Sequence, residues 1–176
     1  APENFTNFFV IQFDQPFESF GVWNNEKIFE KKHEIENTYA GGYIKFPAAN
    51  KKVSLKIASS YISLEQAHQT LSLEIGEKSF ESHSRHVWNK HLSKIEIEGN
   101  NEEQLKTFYS NFYRASLYPR KFYEINEQGT PHHFSPYNGK INTGYMYTDN
   151  GFWDTFRSAH PWLTLIVPSI SREIMQ

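Results

Sequence analysis

The residues best suited to chemistry stand together late in the sequence, in the run Thr148-Asp149-Asn150-Gly151-Phe152-Trp153-Asp154-Thr155-Phe156-Arg157. Within about one helical turn, Trp153 offers an aromatic plate, Asp154 an acceptor carboxylate and Arg157 a planar fork of donors. Such a set suits a sugar. The apolar face of a pyranose stacks on an indole, and adjacent hydroxyls bridge a carboxylate and a guanidinium through charge-assisted hydrogen bonds. The plainer alternative is that Asp154 and Arg157, at i and i+3, only pair with each other on a helix surface.

The eight histidines are the other residues that could carry chemistry. His132-His133 suggests a metal, but adjacent residues rarely ligate one ion and no Glu or His stands at a supporting helical spacing, so a solvated loop pair is expected. His83, His86 and His91 share a helix at i, i+3 and i+8, which leaves the third too far along the axis, and an exposed face is the better reading. His160, just before Pro161, is placed at a helix junction.

Composition narrows the partners. The 176 residues suffice for one ordinary domain or for parts of two larger ones. Hydrophobic residues make up 38% and charged residues 22%, as in a globular chain. A net charge of −2 with both signs interleaved leaves no footprint for nucleic acid. No apolar run approaches the roughly 20 residues that span a bilayer, so no membrane partner is expected. Cysteine is absent, which excludes disulfides, thiolate metal sites and a cysteine nucleophile from this segment. Aromatic residues reach 16%, more than a core of this size needs, and such a surplus lines sugar clefts or domain interfaces as readily as it fills a Phe-rich core.

The elements that must position these residues follow from periodicity. Phe8 to Phe13 reads as a strand closed by Pro16. Gly21 to Tyr39 is polar and mixed. Gly42 to Phe46 and Val53 to Ala58 alternate at period two, with Val53, Leu55 and Ile57 on one buried face. Ser63 and Gln66 form a capping box before a helix from Leu64, with Ala67, Leu71 and Ile75 at helical spacing. A second helix is expected from Lys78 to Leu92, its inner side made by Phe80, Val87, Trp88 and Leu92. Lys94 to Glu98 alternates as a strand does, and Gly99-Asn100 breaks it. Asn101 and Gln104 cap a third helix, striped by Leu105, Phe108, Tyr109 and Phe112 and stopped by Pro119. Lys121 to Asn150, rich in Gly, Pro, Asn, Tyr and His, reads as a long irregular loop. Helix resumes at Phe152, and Pro161 and Pro168 each suit the first turn of a short helix. Ser171 to Gln176 reads as the opening of a helix, so the chain is expected to stop in mid-structure.

Several of these motifs together resemble a known family. The Gly-Phe-Trp-Asp-Thr-Phe-Arg-Ser-Ala-His-Pro run from Gly151 is similar to the signature of the bacterial α-1,2-mannosidases of glycoside hydrolase family 92. The resemblance extends through Tyr61-Ile62-Ser63-Leu64-Glu65-Gln66-Ala67, Trp88-Asn89 with Ile95-Glu96-Ile97-Glu98-Gly99, and Phe108-Tyr109 leading to Leu117-Tyr118-Pro119. It implies a β + α multidomain fragment: the C-terminal part of a β-sandwich over 1–62, linker helices and a strand over 63–100, and the first helices of an (α/α)6 barrel over 101–176. It further implies an exo-acting, inverting hydrolase of terminal α-1,2-linked mannose, active in glycan processing and dependent on calcium. The partners are then a mannose-containing glycan and the remaining part of the same enzyme. The family's acid, base and calcium ligands fall mostly downstream of Gln176, so no catalytic or metal-binding residue is assigned here. Trp153 and Asp154 carry over as mannose-binding residues, with Arg157 beside them, and the Asp154 carboxylate is expected open to the cleft. Tyr113-Arg114-Ala115-Ser116 departs from the pattern, with Arg where many relatives have His, and has no role assigned. The exposed side of Phe108, Phe112 and Phe152 is expected to await later barrel helices. A free-standing carbohydrate-binding module and a helical-barrel enzyme for another sugar are the alternatives, and the sequence leaves secreted, periplasmic and cytoplasmic locations equally open.

Overall fold

A computed structural model describes residues 3–49, 51–75, 80–99 and 101–176 of the chain. Among them the order is strands first and helices after, with a second group of strands set into the helical half. The chain divides into two compact units, one of Ala1–Val10 with Ala58–Gln176, the other of Ile11–Ile57. The paired strands β1 (Phe8–Phe13) and β5 (Leu55–Ser60) each contribute residues to both units.

The smaller unit is built on β2 (Ser19–Asn24), which lies between β3 (Ile28–Glu30) and β4 (Ala40–Lys45) in an antiparallel sheet. β3 and all of β2 from Gly21 on fall in the stretch read as polar and mixed. The signal was there in the turn: Asn24 Oδ1 accepts from the amides of Glu26 and Lys27 at 3.1 and 3.0 Å, an Asx turn that closes the hairpin. The glycine at 41 answers a close approach, since a Cβ there would lie 2.4 Å from the Trp23 ring. Leu55 and Ile57 do not form the expected inner face: they are 52% and 50% exposed, and Val53 is half-buried. The buried residues of β5 are Ala58 and Ser60, on the opposite parity, so the strand runs as expected but turns its other face inward.

In the larger unit, α1 (Leu64–Ile75) starts where the capping signal puts it. Ser63 Oγ accepts from the Gln66 amide at 3.1 Å. The reciprocal half of the box is absent, because the Gln66 side chain donates instead to the Ile125 carbonyl at 2.9 Å and ties the helix to a strand 59 residues away. Ala67 and Leu71 are buried, as their spacing requires.

α2 (Phe80–Leu92) ends as predicted, while Lys78 lies outside the described residues. Its exposed Val87 departs from the expected inner side, where Trp88 and Leu92 are half-buried, and His91, expected on the exposed face with His83 and His86, is half-buried beside them. Trp88 packs on Tyr113 with ring centroids 4.5 Å apart. Lys94 to Glu98 makes no strand, since nothing among the described residues pairs with it; Ile95 instead offers its carbonyl to the Tyr109 hydroxyl at 2.9 Å. Asn100, where the break was placed, lies outside the described residues.

α3 (Glu102–Ala115) is capped by Asn101, whose Oδ1 accepts from Glu103 and Gln104 amides at 3.0 and 3.3 Å. Phe112 is not left for later helices. It is 2% exposed, edge-on to Trp162 at 5.3 Å and also against His91 and Phe108. The reason is α5 (Ala159–Ile166), which brings Trp162 onto it.

The segment from Lys121 to Asn150, expected as one irregular loop, holds short strands joined by tight turns. β7 (Glu124–Ile125), β8 (Pro131–Ser135) and β9 (Lys140–Thr143) form an antiparallel meander, and β6 (Arg120–Lys121) pairs with β10 (Tyr147–Thr148). The Gly and Asn residues that suggested a loop make its turns: Gly129 and Gly139 sit at φ 75° and 64°, after Asn126 and Asn138, which accept amide hydrogens two residues on. The strands between are too short to show period two. His132 and His133 therefore lie on β8, half-buried rather than solvated, and each Nδ1 donates to a backbone carbonyl, of Thr130 and Gly144 respectively.

Beyond it come α4 (Phe152–Thr155), α5 and α6 (Pro168–Ile174), with no strand among them. Pro161 and Pro168 both stand in first turns, as expected. Residues 171–174 close α6 rather than opening a helix.

Phe112 is the residue on which α2, α3 and α5 converge. Phe112→Ala is expected to cost about 3–5 kcal/mol, measured by urea denaturation, whereas Val87→Ala should change stability by less than about 0.5 kcal/mol.

Candidate active site

The end of α3 and the start of α4 are joined by the β6–β10 ladder, which pairs Lys121 with Tyr147 and Arg120 with Thr148. The Phe122 amide donates to the Met146 carbonyl at 2.8 Å. The Arg120 guanidinium donates to Asp149, and each holds the other charged: Asp149 is lowered below the usual carboxylate range and Arg120 raised. Asp149 takes a left-handed φ of 61°, and that residue, not Gly151, makes the turn into α4. Gly151 has an ordinary φ of −84° and serves by leaving room: a Cβ there would lie 2.9 Å from Asp154 Oδ2.

α4 is a single turn, secured from outside. The Thr155 hydroxyl lies within hydrogen-bond reach of both Asn150 Oδ1 at 3.0 Å and the Gly151 carbonyl at 2.9 Å, and the Asn150 amide approaches His160 Nε2 at 3.4 Å. The Phe152 ring lies 5.7 Å from the His160 imidazole, so His160 does stand at a helix junction. On this turn Trp153 is 69% exposed and Asp154 is exposed in the third helical position. The Asp154 amide donates to the Gly151 carbonyl at 3.0 Å, but its carboxylate has no hydrogen bond or ion pair with any described residue. The alternative of an i, i+3 pair does not form, because Arg157 goes elsewhere: its guanidinium lies over the Trp153 ring at 4.8 Å and the Phe156 ring at 5.3 Å. Phe152, Phe156 and Trp153 stack in sequence with interplanar angles of 28° and 21°. The result is an aromatic surface open to solvent with a free carboxylate beside it.

Two supports for this region were not read from the sequence. Glu173 of α6 accepts hydrogen bonds from the Tyr123 and Tyr147 hydroxyls through the same Oε2. Burial, and then the Glu173 carboxylate, push the Tyr147 phenol well above its ordinary value, so it stays a donor. No local signal points to Glu173, which is 26 residues from Tyr147. The second is the His91–Ser116 pair at 2.8 Å, on a cleft of about 280 Å³ that Trp88, Tyr147 and Leu163 also line. Ser116 gives its one hydroxyl hydrogen to the Phe112 carbonyl at 2.9 Å, so His91 donates from Nε2.

Residues 66–176 match the glycosyl hydrolase family 92 catalytic domain, and residues 1–60 match the N-terminal domain of the same family. The chain belongs to glycosyl hydrolase family 92. Among solved family 92 structures, an inverting mannosidase from Bacteroides thetaiotaomicron is similar over 99% of this chain and 24% of its own, with 41% identity and a TM-score of 0.89. The family 92 glycosyl hydrolase ccman5 is 21% identical over 97% of this chain and 23% of its own, with a TM-score of 0.80. A second family 92 α-mannosidase of B. thetaiotaomicron, also 21% identical, covers 90% of this chain and 22% of its own at a TM-score of 0.68, and has been solved with mannoimidazole. These last two show the shared fold alone. No curated protein matches significantly. The chain thus spans about a quarter of the length of the solved family 92 proteins it matches. Its sheets followed by helices accord with the family's N-terminal β domain and the start of its helical catalytic domain.

His91 makes the support testable by pH. Burial, and secondarily Lys94, hold its imidazole below the ordinary value, so the fold favours the neutral ring. Its contribution to stability is full above about pH 6.5 and is lost as pH falls through the lowered folded value, because the unfolded chain takes up the proton first. Urea midpoints compared between the native chain and His91→Gln should therefore converge as the pH is lowered from 8 to 5.

Proposed function

We propose that this chain contributes the substrate-binding platform of an exo-acting, inverting α-mannosidase that removes terminal α-1,2-linked mannose from glycans. The observation that carries the reading is the exposed Trp153 indole beside the unpartnered Asp154 carboxylate, in a chain of family 92. An indole face takes the apolar side of a pyranose, and a free carboxylate is an acceptor for two adjacent hydroxyls. Arg157, in the turn that follows α4, lies over the indole and not against the carboxylate. The mannoimidazole bound by a family relative supports a mannose-like ligand.

Inversion needs an acid and a base about 6.5–9.5 Å apart with water between them. We assign neither to this chain and infer that the rest of the enzyme supplies both. We also propose calcium for the complete enzyme, to help bind and distort the terminal mannose. We assign its ligands to the rest of the enzyme, and no step is drawn through the ion. The proposed partners are accordingly a mannose-containing glycan and the remaining part of the enzyme.

In the complete enzyme, Asp154→Ala is expected to lower kcat/KM on α-1,2-mannobiose by a factor equivalent to about 1.5–3 kcal/mol, the range for a hydrogen bond to a charged group. Thermal stability should stay unchanged, since the carboxylate holds nothing in the fold. Gly151→Ala should give part of the same loss by turning the Asp154 carboxylate aside. Chelation should abolish mannose release and added calcium restore it. Unaltered kcat/KM in Asp154→Ala would refute the assigned role, and equal rates on α-1,2, α-1,3 and α-1,6 mannobioses would refute the linkage.

A further inference from the structure

We infer that Arg157 is a positioning residue that works through the Trp153 indole, and that it is neither a sugar ligand nor the partner of Asp154. This rests on the reading of Trp153 as a mannose platform.

An indole that is 69% exposed has little packing to fix its side-chain torsions. Its ring contacts among the described residues are two: Phe156, stacked at 6.1 Å and 21°, and the Arg157 guanidinium at 4.8 Å. Arg157 also lies 5.3 Å from the Phe156 ring, so one planar cation touches both plates and holds them in one orientation. The guanidinium and the Phe156 ring both lie against the indole, and the part of Trp153 that they leave exposed is what remains for a pyranose. The same choice of partner removes Arg157 from Asp154, which keeps its carboxylate free on the adjoining residue. A lysine would carry the charge but not the plane that spans two rings.

The test is a double-mutant cycle in the complete enzyme, reading kcat and KM on α-1,2-mannobiose with melting temperature as the control for folding. Trp153→Ala should lower kcat/KM about tenfold or more. Arg157→Ala should raise KM about two- to fivefold, the worth of an exposed cation–π contact, with kcat nearly unchanged. In the Trp153→Ala background the Arg157→Ala change should have no further effect, because the residue it acts through is gone. Arg157→Lys should lie nearer alanine than arginine. If Arg157→Ala costs the same factor with and without the indole, Arg157 meets the sugar directly and the inference falls while the platform stands. Full activity in Arg157→Lys would show that charge without stacking suffices, and would also overturn it. If Trp153→Ala alone leaves kcat/KM at the native value, the platform reading fails and takes the inference with it.

Discussion

The structure depends on closing one long excursion of the chain. Between the end of α3 at Ala115 and the start of α4 at Phe152, the backbone leaves, makes a meander and returns. Returning to within hydrogen-bond reach costs conformational entropy that grows with loop length. The β6–β10 ladder sets the register of the return, and the Arg120–Asp149 pair secures it. That ion pair is exposed, so its worth is in geometry more than in energy. Asp149 has a left-handed φ there, at the turn that leads into α4. The meander lowers the cost of closure, because two tight Asx-and-glycine turns close most of the excursion locally.

Two carboxylates five residues apart show how position separates structural from chemical work. Asp149 is consumed by its guanidinium and shapes the backbone. The Asp154 carboxylate has no partner among the described residues and is exposed on a one-turn helix, beside an exposed indole. A short helix holds little by its own hydrogen bonds. Here the load falls on Asn150, which reaches Thr155 on one side and His160 on the other. Behind the ladder, Glu173 binds two tyrosine hydroxyls and couples α6 to β10. The site is thus a surface turn with a buttressed back, the arrangement expected of a binding group that must be both open and fixed.

Much of the helical architecture was legible in the sequence because its signals are local. Ser63, Asn101 and Pro168 mark helix starts through hydrogen bonds or ring geometry within a few residues, and Ala67, Leu71 and Phe112 repeat at helical period. The strands were read less well. β2 and β3 were hidden by mixed polarity, and β6 to β10 are too short for alternation, so their turn residues passed for a loop. The inward face of β5 was misread because Leu55 and Ile57 look like core, while the buried positions are Ala58 and Ser60.

For the site the division is similar. The sequence by itself determined which residues stand together on one turn, Trp153, Asp154 and Arg157, since neighbours along a chain remain neighbours in any fold. It also determined the family, because several ordered motifs recur at matching separations. Only the tertiary structure decided what each does: that Arg157 stacks on two rings instead of pairing with Asp154, that Phe112 is buried beneath Trp162, and that Glu173 and Arg120 stand behind the turn. The physical reason is that a charged or aromatic side chain takes the best partner in space, and the choices open to it are set by elements far along the chain, as with Tyr123 and Glu173, 50 residues apart.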